Sequence, residues 1–427
     1  MNLTLLMLLL LGTFIALNVP IAVALGASAI VVGYMIQGNV NFVATVLFSS
    51  LQKVELLAIP FFILAGNVLD RCGIMERLFL FVDSLVGQVR GSTSIVASAM
   101  SVVVSGLSGS GPADTAALGS TMGQVMEDRK YPRSFTAALI SSGAGLAIVV
   151  PPSVAFILYG IAVPGVSIGE MFVAGILPGI LMGALLAVVS FWLARRRGYD
   201  RVGEPFSLRR AMSTFGAAVW GLLAPIVIVG GIYIGAVTPT EAAGVAVIYG
   251  LLVGIIVYRS IGFTDIVEIA RSTAIDTAAV MMIVATASLF AWVMAIDGTV
   301  VQLVRDMSAD MDGQWQVFLV ATIILLIAGC FIDGASIYLV IVPLLIPAVV
   351  AQGIDLVWFG IFVALTVGIG QFTPPVGVNL FVASRVLGIR MDDAVREILP
   401  FLYVSLVGLL LIYLFPAIST WLPSTMR

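Results

Sequence analysis

The sequence has no histidine among its 427 residues, which removes the commonest general base and metal ligand from any mechanism it could support. It has two cysteines, Cys72 and Cys330, far apart in the chain. Neither a disulfide framework nor a paired-cysteine metal spacing is available, and both read as thiols in apolar surroundings. Charged residues make up 10% of the chain, and a net charge of -3 leaves no footprint for nucleic-acid binding. No Gly-rich loop followed by Lys and Ser or Thr is present, so ATP-driven chemistry lacks its phosphate cradle. With no metal cluster and no nucleophile beside a base, an enzyme is not expected.

Apolar residues fill the space left by these absences. They reach 61% of the chain, against roughly 45 to 50% in a soluble domain, and mean hydropathy is +1.16. Apolar runs over 21–36, 180–194, 219–235, 318–328 and 404–415 recur with short polar joints, leaving no room for a soluble domain. The opening stretch, 1–17, lacks a basic start and a small-residue cleavage site, so it reads as a retained span rather than a signal peptide. The surplus needs a lipid bilayer to face, and the expected class is an all-α, multi-pass integral membrane protein.

An internal repeat is visible. A double proline occurs at Pro151-Pro152 and again at Pro374-Pro375, an offset of 374 minus 151, or 223. The same offset places Gly145 on Gly368, Gly111 on Gly334 and Gly106 on Gly329 without a gap. Arginines mark orientation, because Lys and Arg accumulate on the cytoplasmic side. The central joint carries Arg195, Arg196, Arg197, Arg201, Arg209 and Arg210 and is expected to be cytoplasmic. The stretch 92–126 has basic residues at both ends and a Ser-Gly break over 105–111. Limbs of about 13 to 15 residues, ~20 Å each, are too short for a ~30 Å hydrocarbon core, which is the pattern of a re-entrant hairpin. The equivalent stretch, 315–350, is broken over 329–336 and flanked by Asp306, Asp310, Asp312 and Asp355. Basic flanks exchanged for acidic ones imply an inverted-topology repeat with two re-entrant helical hairpins and two broken transmembrane helices, the architecture of many secondary transporters. The expected organisation is a first repeat over 1–194 with its hairpin at 92–128, a cytoplasmic linker over 195–213, and a second repeat over 214–427 with its hairpin at 314–351. Five spans per half would leave both termini outside, and 263–271 reads as an interfacial arm.

Broken helices in a bilayer are tolerated where they are buried in protein or line a cavity, so the breaks are candidate sites. Each Pro-Pro opens a helix and exposes carbonyl oxygens upstream. With Ser or Thr hydroxyls and one carboxylate, those carbonyls form a hard-oxygen shell suited to Na⁺, while half-helix amino ends attract an anion. Asp114 and Asp333 are carboxylates in apolar surroundings, where such groups are expensive and usually functional. Asp333 falls on Ser110 under the offset, so the two cation sites need not be alike. Glu241 follows Pro239 at a helix start, and capping is the expected role there.

Four segments then carry a family resemblance. The serine-glycine tip at 105–111, the run Thr238-Pro239-Thr240-Glu241-Ala242-Ala243, the run starting Pro60 and ending Gly66-Asn67, and Phe372-Thr373-Pro374-Pro375 through Asn379 together resemble the large membrane subunit of tripartite ATP-independent periplasmic (TRAP) transporters. The resemblance covers nearly the whole chain. It implies the elevator-type ion transporter fold and Na⁺-driven transport in a bacterial inner membrane, with two or more Na⁺ sites, a small four-helix membrane subunit as a separate chain, and a periplasmic binding protein delivering an organic acid. C4-dicarboxylates, sialic acid and keto or sugar acids are the substrates it implies. Carried over residue by residue, cation roles fall on Ser105, Ser108, Ser110, Gly145 and Pro151, and on Gly329, Asp333, Gly368, Thr373 and Pro374. Asp114, Ser336 and Asn379 are the substrate-side candidates, with Ser110 shared. The nearest alternative is a stand-alone Na⁺/dicarboxylate symporter of related fold.

Overall fold

The computed structural model describes residues 3–17, 19–86, 89–199, 207–298 and 313–426. Every regular element among them is helical, as a chain must be where lipid offers the backbone no water. Among the described residues, seven helices are long and apolar enough to cross a membrane, and the bent pair Asn41–Leu51 with Val54–Arg71 supplies an eighth. The protein is a multi-pass membrane protein.

Both hairpins form. The first runs Ser92–Ser108 and Gly111–Asp128, turning at Gly109, whose φ of +66° is the left-handed conformation that glycine adopts freely. The second runs Gln314–Phe331 and Gly334–Ala351. The limbs are longer than the sequence suggested: 17 and 18 residues in the first hairpin, or about 26 Å at ~1.5 Å per residue. One left-handed residue and an N-cap suffice to reverse the chain, so Ser105 to Ser108 stay helical. Gly106 serves close packing instead, since a Cβ there would lie 3.2 Å from the Pro151 carbonyl oxygen.

Both broken spans form as well. Arg133–Ala144 tightens into a 3-10 turn over Gly145–Ile148, opens at the double proline and resumes as Val154–Ala162. Leu356–Gly370 opens in the same way and resumes as Val378–Val386. Both Pro-Pro bonds are cis.

The packing is reciprocal between halves. Ala58–Arg71 packs on Pro239–Leu252, while Phe263–Asp297 packs on Ile21–Gln37. Gly111 faces the Gln371 side chain and Gly334 faces Ile148, and both members of the second pair are the 223-offset partners of the first. Exchange of partners of this kind is what a two-fold relation requires, here within one chain as an inverted repeat.

Two expectations change. The arm expected over 263–271 is continuous with its span, giving the 35-residue helix Phe263–Asp297. Its counterpart Asn41–Leu51 is the separate one, bent by 64° from the helix that follows. Pro60 lies in the first turn of Ala58–Arg71, where its missing N–H is harmless, so that helix must restart just before it. The offset equivalent is Ile283, which imposes no restart. The central joint is also tighter than 195–213. Ile168–Arg197 carries three arginines into its last turn, where cations complement the helix dipole, and Leu208–Tyr233 begins eleven positions on. Arg201, Asp306, Asp310 and Asp312 lie outside the described residues.

Candidate functional site

The first hairpin brings three of the selected side chains together at its turn. Ser108 Oγ donates to Asp114 Oδ1 and accepts from the Ser110 backbone N–H at 3.1 Å. Asp114 stands in the first turn of Gly111–Asp128, the favoured place for an acid, and is 1% exposed. Ser105 is buried one turn back and faces the same carboxylate.

The second break meets this tip from across the protein. A Cβ on Gly111 would stand 2.6 Å from Gln371 Oε1 and 2.9 Å from both polar atoms of Asn379, so the absence of a side chain lets these elements touch. Asn379 Nδ2 donates to the Ser141 carbonyl at 3.5 Å. Asp114 Oδ2, Gln371 Oε1 and Asn379 Oδ1 are buried oxygens without a hydrogen bond of good geometry. Leaving such a group unpartnered costs on the order of 1 to 3 kcal/mol.

The second hairpin differs in detail. Asp333 caps its outgoing limb, accepting from the Ser336 N–H at 3.1 Å and from Ser336 Oγ at 2.7 Å. Asp333 and Ser336 are therefore engaged with one another. Cys330 Sγ reaches the Pro374 carbonyl at 3.7 Å, and the Gly377 N–H donates to the Cys330 carbonyl at 3.2 Å. Thr373 Oγ1 donates to the Ile369 carbonyl at 2.6 Å. Gly329 abuts Gly370, Gly145 abuts Gly368, and the Pro151 carbonyl sits beside Gly106.

A cavity of about 450 Å³ lies where the two hairpin tips approach the span containing Asn67 and the long helix Phe263–Asp297. Of the sequence-selected residues, Ser108, Ser110, Asp114 and Asp333 line it. Ser105, Gly145, Pro151, Gly329, Ser336, Gly368, Thr373, Pro374 and Asn379 stand behind that wall, in the hairpins and the two breaks. Asn67, Asp70, Asp276 and Gln371 also line it and were not selected. Asp70 and Asp276 gave the signal that picked out Asp114, a carboxylate within an apolar helix. Among the described residues that line it there is no Lys, Arg or His.

The family described as Tripartite ATP-independent periplasmic transporter, DctM component, matches over residues 6–418. This chain belongs to that family. As a DctM chain it is 35% identical over 431 residues to the C4-dicarboxylate TRAP transporter large permease protein DctM of Rhodobacter capsulatus, covering 97% of this chain and 98% of the relative. It is 33% identical over 407 residues to the isethionate TRAP transporter permease protein DctMQ of Oleidesulfovibrio alaskensis, covering 95% of this chain and 64% of that one. The crystal structure of the YdaH transporter of Alcanivorax borkumensis shares the fold, with a TM-score of 0.64, 16% identity and 98% of both chains covered. A DctM chain is a transport permease rather than an enzyme.

Proposed function

We propose that this chain is the large permease subunit of a TRAP transporter that takes up an organic acid by Na⁺ symport, moving the hairpins and broken spans as one body against the remaining helices. The observation that carries this reading is the cavity's charge. Among the described residues, its walls hold the carboxylates of Asp70, Asp114, Asp276 and Asp333 and no cationic side chain. At a separation of ~8 Å and an effective dielectric of ~20, each ionised carboxylate would repel a bound anion by about 2 kcal/mol. Coupling cations remove that penalty, which makes anion and cation binding mutually dependent.

The two breaks supply the means. Carbonyls and hydroxyls at Ser105, Ser108, Ser110, Gly145 and Pro151 suit one Na⁺, and those at Gly329, Asp333, Gly368, Thr373 and Pro374 suit another. The amino end of Gly111–Asp128 opens on the cavity and offers backbone N–H groups to an anionic cargo. Ser110, Asp114, Ser336 and Asn379 are assigned to the cargo side. C4-dicarboxylates, sialic acid and keto or sugar acids are the substrates to try first. The cavity is walled partly by hairpins and partly by Asn67, Asp70 and Asp276 of the flanking helices, which is where an elevator would slide.

A periplasmic binding protein and a small four-helix membrane subunit are the assigned partners, and the bacterial inner membrane is the assigned location. The isethionate relative is about half as long again as the aligned region, room enough for a fused partner. The test is uptake by proteoliposomes holding this chain, its small subunit and its binding protein. A steep, greater than first-order dependence on Na⁺ is expected, and full uptake in K⁺ buffer without sodium would overturn it. Full uptake by this chain alone would favour the stand-alone symporter.

A further inference from the structure

The helix Ile74–Val86 stands between the span Ala58–Arg71 and the first hairpin, and it is tied down at both ends. At the near end the chain turns at Gly73, whose φ is +66°. Arg77 Nη1 donates to the Cys72 and Gly73 carbonyls at 2.8 Å each, and its guanidinium lies 3.9 Å from the centre of the Tyr258 ring. Ser260 Oγ donates to the same Cys72 carbonyl at 3.4 Å. Tyr258 and Ser260 follow directly on the span Pro239–Val257, so this end is fastened to the helix that packs along Ala58–Arg71. From there Ile74–Val86 runs antiparallel to Leu208–Tyr233. A Cβ on Gly221 would stand 2.5 Å from Ile74 Cγ2, the Phe81 and Phe215 rings are 5.4 Å apart, and Ser84 Oγ is 3.1 Å from Thr214 Oγ1.

The far end carries a forked ion pair. Asp83, 7% exposed, pairs with Arg129 at the base of the hairpin at 2.8 Å and with Arg210 at the start of Leu208–Tyr233 at 3.7 Å. Arg129 Nη1 also donates to Thr93 Oγ1 at 2.8 Å, which staples the outgoing limb of the hairpin to the start of the incoming one. Under the transport reading above, the two arginines belong to different bodies. Arg129 travels with the hairpin, and Arg210 stays with Leu208–Tyr233. An ion pair holds only to about 4 Å, so a slide of even one helical turn, ~5.4 Å, cannot keep both contacts. The shorter one is to the moving arginine, which makes the Arg210 contact the one to open.

We propose that Asp83 is a positioning residue for the transport step: it couples the hairpin base to Leu208–Tyr233 through Arg210 in this structure, and it parts from Arg210 in company with Arg129 when the hairpin moves. Ile74–Val86 is then a lever, ~14 Å long from Ile74 to Asp83 at ~1.5 Å per residue, pinned at Arg77 and released at its far end. A buried carboxylate is screened less than a surface one. The Arg210 contact therefore biases the equilibrium toward the position it closes, and sodium or cargo shifts that equilibrium only by preferring the other position. That the lever serves uptake rests on the transport reading; that the contact opens and closes is measured without it.

The experiment uses the assembled complex in proteoliposomes. Ser84→Cys with Thr214→Cys places one thiol on each side of the contact. Gly26→Cys with Thr286→Cys is the control between two helices of the stationary body, where a Cβ on Gly26 would stand 3.6 Å from that of Thr286, a spacing suited to a disulfide. Copper phenanthroline closes the bonds, dithiothreitol reopens them, and the unsubstituted protein, whose two cysteines are buried, sets the background. Closing the 84–214 bond is expected to lower uptake of a radiolabelled C4-dicarboxylate, sialic acid or sugar acid, whichever the unsubstituted complex carries, at least tenfold. Reduction should restore it, and the control bond should leave it within twofold. Undiminished uptake with the 84–214 bond closed would overturn the proposal. The second readout is the rate at which that bond closes: Arg210→Gln is expected to slow it at least threefold, because the closed contact is populated less, and Arg210→Lys to recover most of it. Equal rates in all three would show a pair that only holds structure, and would overturn the proposal even if the cysteine pair were inactive when reduced. Absence of sodium-driven uptake in the unsubstituted complex would instead count against the transport reading, and the closure rates would still decide whether the Arg210 contact opens.

Discussion

Gly145 and Gly368 lie backbone against backbone: a Cβ on Gly145 would stand 2.7 Å from the Gly368 carbonyl oxygen, and one on Gly368 would stand 2.5 Å from that of Gly145. They are the same position in the two halves, so the internal two-fold axis passes between them. The broken spans cross there, and any side chain would pry them apart.

Alanine at either glycine is therefore expected to destabilise the purified complex by about 1 to 3 kcal/mol, the usual cost of overpacking, and to abolish uptake. Gly216 and Gly230 have nothing within 4 Å of an added Cβ. Alanine there is expected to be neutral or stabilising by about 0.5 to 1 kcal/mol, since a mid-helix glycine is itself costly. Thermal unfolding in detergent checks both, and a Gly145→Ala protein as stable as Gly216→Ala would sink the crossing argument.

Much of this was legible in advance for a physical reason. An inverted repeat in a membrane must place like residues at equal distances on opposite sides of the midplane, so the glycine and proline landmarks kept their register through duplication, and one subtraction recovered it. Breaks announce themselves because proline and glycine are conspicuous against leucine and valine. The route by which the halves interlock left no such trace. Nothing in the order of residues says that Gly111 faces Gln371 of the other half, since that contact is made by an absent side chain. Asp70 and Asp276 were readable as carboxylates in apolar helices, but which wall they would face depends on packing between distant segments. The hairpin limbs came out longer than expected because serine-rich helix and serine-rich turn look alike until one left-handed residue decides between them.

The Asp83 cluster yields a graded series. Arg129 is 22% exposed and bonds Asp83 at 2.8 Å, whereas Arg210 is 36% exposed and stands at 3.7 Å. Arg129→Gln is expected to lower stability by about 1 to 3 kcal/mol, because it strands a buried carboxylate. Arg210→Gln should cost under about 1 kcal/mol, in the range of an exposed pair. Asp83→Asn should resemble Arg129→Gln. Equal effects of the two arginine changes would mean that burial does not govern this cluster.

Glu241 is a capping residue in the structure as the sequence led one to expect: its Oε2 accepts from the Thr238 N–H at 2.8 Å, and Thr238 Oγ1 accepts from the Glu241 N–H at 3.3 Å. Thr238→Ala is expected to lower stability by about 1 kcal/mol, as for other lost N-caps, with the sodium dependence of uptake unchanged. A changed order in Na⁺ for Glu241→Gln would move this residue from the helix end into the ion pathway.

Topology can be read with an impermeant thiol reagent applied to intact cells. A cysteine at Thr425 is expected to be modified from outside and one at Ser207 only after permeabilisation, following the arginines beside Ser207. The opposite pattern would invert the molecule in the membrane.

The reciprocal packing has a consequence for how the chain is made. The first hairpin needs Gln371 and Asn379 against its tip, and Ala58–Arg71 needs Pro239–Leu252 along its side. At ~5 to 20 residues per second, the first half emerges from the ribosome and waits roughly 10 to 50 s for partners that have not yet been synthesised. During that interval the carboxylate of Asp114 and the open backbone at Pro151 must be sheltered by the insertion machinery or by water at the membrane surface. Truncation after the central joint should accordingly yield a fragment that proteases remove quickly, and co-expression of the two halves as separate chains should restore it.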